Sequence, residues 1–245
     1  MGIPHSLLWL IGIATFLLSV DAAVSLALVS TMVAFLHDHG HGPFAVTPRG
    51  KSPFLLFDEP ASLVTDQGHT GNAAGGTALV LVGFGGVISL WRESRTRKKW
   101  TRSSHLFYIW SVVVLLSWFL TTAALIYTLV ETSMTSGQAI DVGVAWTPEN
   151  WYAAVLALPL ASADQRRVVG GNLRLMRAWR WNLVALLLLG SALLALVAVE
   201  VAQVRRRNRQ PVSMAEVLVE PSSNGSRHAA KMVKPWNSKS DAMRA

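Results

Sequence analysis

Apolar residues in this chain gather into four long runs, at about residues 7–36, 73–91, 106–130 and 182–204, separated by stretches richer in glycine, proline and arginine. An α-helix rises about 1.5 Å per residue and the hydrocarbon core of a bilayer is about 30 Å thick, so about 20 consecutive apolar residues cross it. Each run meets that requirement, and none shows the period-two alternation of a half-buried strand. The pattern predicts an all-α fold. Residues 1–204 form a four-helix transmembrane bundle with an irregular first outer loop and a partly helical second outer loop, and residues 205–245 form a disordered basic tail. Aromatic rings mark the ends of the runs, at Trp91, Phe107, Tyr108, Trp110, Tyr127, Trp179 and Trp181, where amphipathic side chains meet the headgroup zone.

The first run would make a helix about 45 Å long, so it must tilt or protrude. A cleaved signal peptide ending near Asp21, Ala22 and Ala23 is the alternative, favoured by the small residues there and opposed by a head without Lys or Arg. The topology of the remainder is the same either way.

Composition agrees with lipid as the solvent: 51% of residues are hydrophobic and 15% charged, with a mean hydropathy of +0.37, against a charged share of about 25% in soluble domains. The net charge of +8 is concentrated in two places. The link between the second and third runs carries Arg92, Arg95, Arg97, Lys98, Lys99 and Arg102, and the fourth run is followed by Arg205, Arg206, Arg207 and Arg209. The first outer loop holds only Arg49 and Lys51. Basic residues near span ends stay on the cytosolic side, so both termini and the link are expected there, against an anionic leaflet. Arg166, Arg167, Arg174, Arg177 and Arg180 run against that bias on the outer side. Glycosylation of Asn224, in the sequence Asn224-Gly225-Ser226, would invert the orientation. The chain has no cysteine, which excludes disulfides, thiolate metal sites, CxxC redox pairs and S-acyl anchors. Basic and aromatic residues do not interleave outside the membrane-flanking segments, so no nucleic-acid partner is expected, and no motif calls for a cofactor.

Candidate chemistry lies in the loops and at a few polar positions within the spans. The first outer loop, residues 37–72, opens with His37, His39 and His41, which an extended backbone would aim to one side as ligands for zinc or copper, with Asp38 or His69 completing the set. A polar cap at a helix C-terminus explains the same residues. In the second outer loop, Thr147, Pro148 and Glu149 read as N-cap, first helical position and acidic first turn of a short helix that Pro159 stops. Trp151, Tyr152, Val155 and Leu158 share one side of it. Ser162 and Gln165 form a capping box for another helix, which Gly170-Gly171 is expected to interrupt. Beyond it, Arg174, Arg177 and Arg180 fall a turn apart, as a ridge for an anionic headgroup or an acidic partner, or as a solvated face. Within the spans the ionisable residues are Asp21 and Glu200, each costly at the bilayer centre and each able to reach an interface. Small residues at helical spacing, Gly71, Gly75, Ala78 and Gly85 on the second span and Ser191, Ala195, Ala198 and Ala202 on the fourth, predict close packing within the chain or between copies of it. Gly83-Phe84-Gly85-Gly86 follows no strand and is not a nucleotide loop. Phosphorylation of Ser222, Ser223 or Ser226 would weaken attraction of the tail to an anionic leaflet.

Asp66-Gln67-Gly68-His69-Thr70-Gly71-Asn72, leading into the glycine-rich second span, and Trp146-Thr147-Pro148-Glu149-Asn150-Trp151-Tyr152 resemble segments of four-span membrane proteins of filamentous fungi that have no assigned activity. The resemblance covers the spans and both outer loops but not the tail, and it implies no catalytic residues. The expected function is therefore a non-enzymatic, multi-pass bundle that organises a membrane or recruits a protein partner through its outer loops or tail, in an oligomeric state the sequence leaves open. A small transporter, a channel or an accessory subunit, for which Asp21 would matter, is the alternative. A membrane enzyme or metal site built on His37, His39, His41 and Asp66 is the third.

Overall fold

A computed structural model describes residues 5–39, 43–57, 59–60, 62–98, 105–138, 140 and 144–209. The helices are α1 (His5–His39), α2 (Asp66–Thr77), α3 (Gly85–Lys98), α4 (His105–Met134), α5 (Pro148–Ala157) and α6 (Ala163–Arg209), and a π-helical segment, Ala78–Phe84, joins α2 to α3. Strands β1 (Phe44–Val46) and β2 (Phe54–Leu56) pair antiparallel, with Phe44 opposite Leu56. Among the described residues, four helical stretches are long and apolar enough to cross a membrane: Leu7–His37, Asp66–Arg95, His105–Met134 and Ala163–Arg206. The architecture is that of an all-α integral membrane protein. Met1–Val204 forms one unit, and in the second, Arg205–Ala245, the described residues are those that close α6. The expectation of a disordered tail falls on residues outside the described ones.

The bundle buries small and hydroxyl-bearing residues together with large apolar ones, and its outward faces are apolar, as lipid demands. On α4 the buried positions Phe107, Trp110, Val114, Ser117, Thr121, Ala124, Leu125, Thr128 and Thr132 recur every three or four residues, while Ile109, Val112, Leu116, Phe119 and Ile126 are exposed on the opposite side. The buried hydroxyls are satisfied locally: Thr121 Oγ1 donates to the Ser117 carbonyl at 2.9 Å and Thr128 Oγ1 to that of Ala124 at 2.8 Å.

Helices α1, α2 and α4 and the π segment approach at backbone distance, through small residues. Ala78 is buried, and a Cβ at Gly75 would lie 3.4 Å from Leu26 of α1. A Cβ at Gly86 would stand 2.9 Å from Thr15 Cγ2 and 3.0 Å from Trp110 Cζ2, a tighter fit than at Gly85, where Trp110 is 3.6 Å away. At the end of the π turn the Gly85 N–H donates to Val80 O and Val82 O, and the Trp110 indole also donates to Val82 O, at 3.0 Å.

Helix α6 turns only part of its small-residue face to the bundle. Ser191 meets the bundle, accepting a hydrogen bond from Trp118 Nε1 at 2.8 Å, but Ala195, Ala198 and Ala202 are exposed. The buried face carries Leu183, Leu186, Leu193 and Val197 instead. These long side chains span the gap between α6 and its neighbours, so the small-residue face points away. Nor do Gly170 and Gly171 interrupt this helix, which runs unbroken from Ala163 to Arg209. Each glycine costs a helix about 1 kcal/mol, and buried Val169 and Leu173 on either side hold the turn in place. The second span begins at Asp66 rather than near residue 73, its acidic first residue suiting a helix N-terminus.

The two loops at one end of the bundle are zipped together by backbone bonds. Thr47 N donates to Pro159 O at 3.0 Å and Ala161 N to Ala45 O at 2.9 Å, which places residues 159–161 beside β1. Further along, Val64 N donates to Trp146 O at 2.8 Å and Trp146 N to Ser62 O at 3.1 Å. Helix α5 lies under this cap with Trp151, Tyr152 and Val155 buried, and Tyr152 meets Phe35 of α1 edge-on at 5.3 Å.

Candidate functional site: a cavity under the loop cap

Where the cap meets the bundle, a cavity of about 580 Å³ lies between the last turns of α1, the first turns of α2, the end of α4, the start of α5 and α6. Its roof is fixed by a local motif. Thr147 caps α5 by accepting from the Asn150 amide at 3.4 Å. The Asn150 side chain donates back to Thr132 O at 2.7 Å and to Thr135 Oγ1 at 2.6 Å, and Thr135 and Thr147 share a hydroxyl contact at 3.1 Å. This clasp ties α5 to the end of α4 and sets Pro148 and Glu149 over the cavity.

Glu149 is held from the other side by α6. Its carboxylate oxygens lie 3.4 Å from Arg177 Nε and 3.2 Å from Arg180 Nη1. The arginine ridge, read as a surface for an anionic headgroup or an acidic partner or as a solvated face, is thus partly neutralised from within the chain. Arg174 is spent locally, its Nε donating to Gly170 O at 3.3 Å. The capping box at Ser162 is made in one direction: Gln165 N donates to Ser162 Oγ at 3.4 Å.

Two buried polar groups line the cavity without a hydrogen-bond partner among the described residues, the Gln67 amide oxygen and Trp179 Nε1. Gln67 is 6% exposed and Trp179 4% exposed. The Trp179 ring lies over Gly71, where an added Cβ would overlap ring atom Cζ2. Apolar walls come from Val29, Met32 and Leu36 of α1 and Met176 of α6. Val33, His37, His69 and Asn72 also line the cavity and are exposed, so it opens between α1 and α2.

The remaining candidates are dispersed. His37 stands at the cavity mouth; His41, and the side chains of Asp38 and His39, lie outside the described residues. Among the described residues no three His, Asp or Glu side chains converge as a metal site. Asp66 opens α2, its carbonyl accepting from Thr70 Oγ1 at 3.2 Å. Asp21 sits midway along α1, where its backbone carbonyl accepts from Asn182 Nδ2 of α6 at 3.3 Å. Glu200 is fully buried, as is Glu93 of α3, which the sequence did not mark because it adjoins the basic link. Arg95 stacks on Trp91, 4.1 Å from the ring centroid. Arg92 lies within α3, and Arg205 and Arg206 are exposed near the end of α6. The side chains of Arg97, Lys98, Lys99, Arg102, Arg207 and Arg209 fall outside the described residues.

No protein-family model matches this chain, and neither does any curated protein or solved structure.

Proposed function

We propose that this chain is a non-catalytic, multi-pass membrane protein that recruits a protein partner through its loop cap, with the cap outside and both termini and the basic link in the cytosol. The orientation follows from the lysines and arginines of residues 92–102 and 205–209. Partner recruitment rests on one observation, the edge of the cap's small sheet. Strand β1 is flanked on one side by residues 159–161 and on the other by β2, which leaves β2 as the edge strand. That edge is apolar and exposed, with Leu55 68% and Phe57 74% accessible, although it lies outside the spans that lipid would cover. Natural sheets protect such edges with charge, proline or a covering element. Among the described residues no element covers the outer side of β2, a three-residue strand that follows Pro53, and such a free edge is suited to accept an extended segment of a partner by strand addition.

A photo-crosslinking residue placed at Phe57 tests this in the native membrane. A discrete protein adduct is expected, and Leu55→Lys, which charges the edge without touching the bundle, should reduce it at least fivefold. An adduct of unchanged yield in Leu55→Lys, or crosslinking to lipid alone, would remove the basis for recruitment.

A further inference from the structure

The cavity under the cap carries a second inference, independent of the edge strand. We propose that it binds a neutral amphiphile with a hydroxyl head, taken from the bilayer through the opening between α1 and α2.

The chemistry of the head follows from the two unpartnered groups. In the cavity-lining residues, Gln67 carries a buried carbonyl oxygen, an acceptor, and Trp179 a buried N–H, a donor, neither with a partner. A buried polar group without a partner is destabilising, so a ligand that satisfies both is favoured over one that satisfies either alone. A hydroxyl is the smallest neutral group that both donates and accepts. Glu149, a carboxylate in the roof, is already paired with Arg177 and Arg180, and Glu59, the other carboxylate lining the cavity, is likewise engaged within the chain, which leaves neither a free demand for a cation.

The body of the ligand follows from the walls. Val29, Met32, Leu36 and Met176 line the cavity with aliphatic and thioether surface, and methionine accommodates chains of varied shape. The volume lies within the range of about 300–1,000 Å³ usual for small-molecule sites. The route follows from the mouth. Val33, 57% exposed, belongs to the apolar run that would face acyl chains, while His37, His69 and Asn72 stand where that run ends. An amphiphile entering there keeps its tail in hydrocarbon while its head passes polar side chains.

The test uses the full-length protein in phosphatidylcholine vesicles and a diazirine-bearing dodecanol as probe. Adducts are expected at Met32, Val33 and Met176. Unlabelled dodecanol should compete for them. Dodecyl methyl ether, which accepts but cannot donate, should compete at least fivefold more weakly, and glycerol, the water-soluble source of the same hydroxyl chemistry, should not compete at all. Gln67→Leu and Trp179→Phe should each lower labelling fivefold or more at unchanged helical content. The competition series needs no variant, so a folding defect in either substitution leaves the proposal open to refutation. Labelling spread evenly over the lipid-facing helix surfaces, equal competition by ether and alcohol, or competition by glycerol would each overturn it.

Discussion

Gly71 shows how tightly single residues are constrained at the crossing of α2 and α6. The Trp179 ring occupies the space its Cβ would need, whereas a Cβ at Gly12 of α1 would meet no atom within 4 Å. Gly71→Ala should therefore destabilise the bundle by about 1–3 kcal/mol, the usual cost of overpacking. Gly12→Ala should be neutral or stabilising by up to about 1 kcal/mol, because it removes only backbone freedom. Thermal unfolding in detergent, followed by circular dichroism, reads both, and a lower midpoint for Gly71→Ala alone is the expected outcome. At this scale the sequence was legible where the cause was local. Thr147, Pro148 and Glu149 announced a helix start because capping chemistry lies within a few residues. The pairing of Glu149 with Arg177 and Arg180 was not legible, since it depends on how α5 and α6 meet. Gln67 was missed for a related reason: its segment is too polar to count as a span, although Gln67, Gly71, Ala74 and Ala78 fall at helical spacing and are buried along one face.

Among the elements, the second span departs furthest from what periodicity can express. Beside the π turn at Ala78–Phe84, the Trp110 indole of α4 adds a second donor to Val82 O, which also accepts from the Gly85 amide. Trp110→Phe keeps most of the ring but removes the donor. It should cost about 1 kcal/mol and speed amide hydrogen exchange in residues 82–86 relative to α4. Unchanged exchange there would mean that the π turn is held by glycine packing alone. Helix α6 teaches the complementary lesson. Its hydrophobic run was legible, but which face packs was not, because every face is apolar and the small residues Ala195, Ala198 and Ala202 suit contacts within the chain and between copies of it alike. The continuity through Gly170-Gly171 was likewise set by tertiary contacts of Val169 and Leu173 rather than by propensity.

For the whole molecule, the four spans were legible because hydrocarbon thickness acts on composition directly, without reference to any partner. The folded cap and the cavity beneath it were not, because they arise from backbone bonds between loops about a hundred residues apart, such as Thr47 to Pro159. The central claim is that the chain crosses the bilayer four times, with the cap on one side and the basic link and the tail on the other. The absence of cysteine makes the decisive measurement direct. Single cysteines replacing Ser52 in the hairpin, Ser103 in the link and Ser222 in the tail can each be probed in intact cells with a membrane-impermeant maleimide. The account predicts labelling at position 52 without permeabilisation, and at positions 103 and 222 only after it. Labelling of 52 and 103 from the same side, or of 103 and 222 from opposite sides, would contradict it.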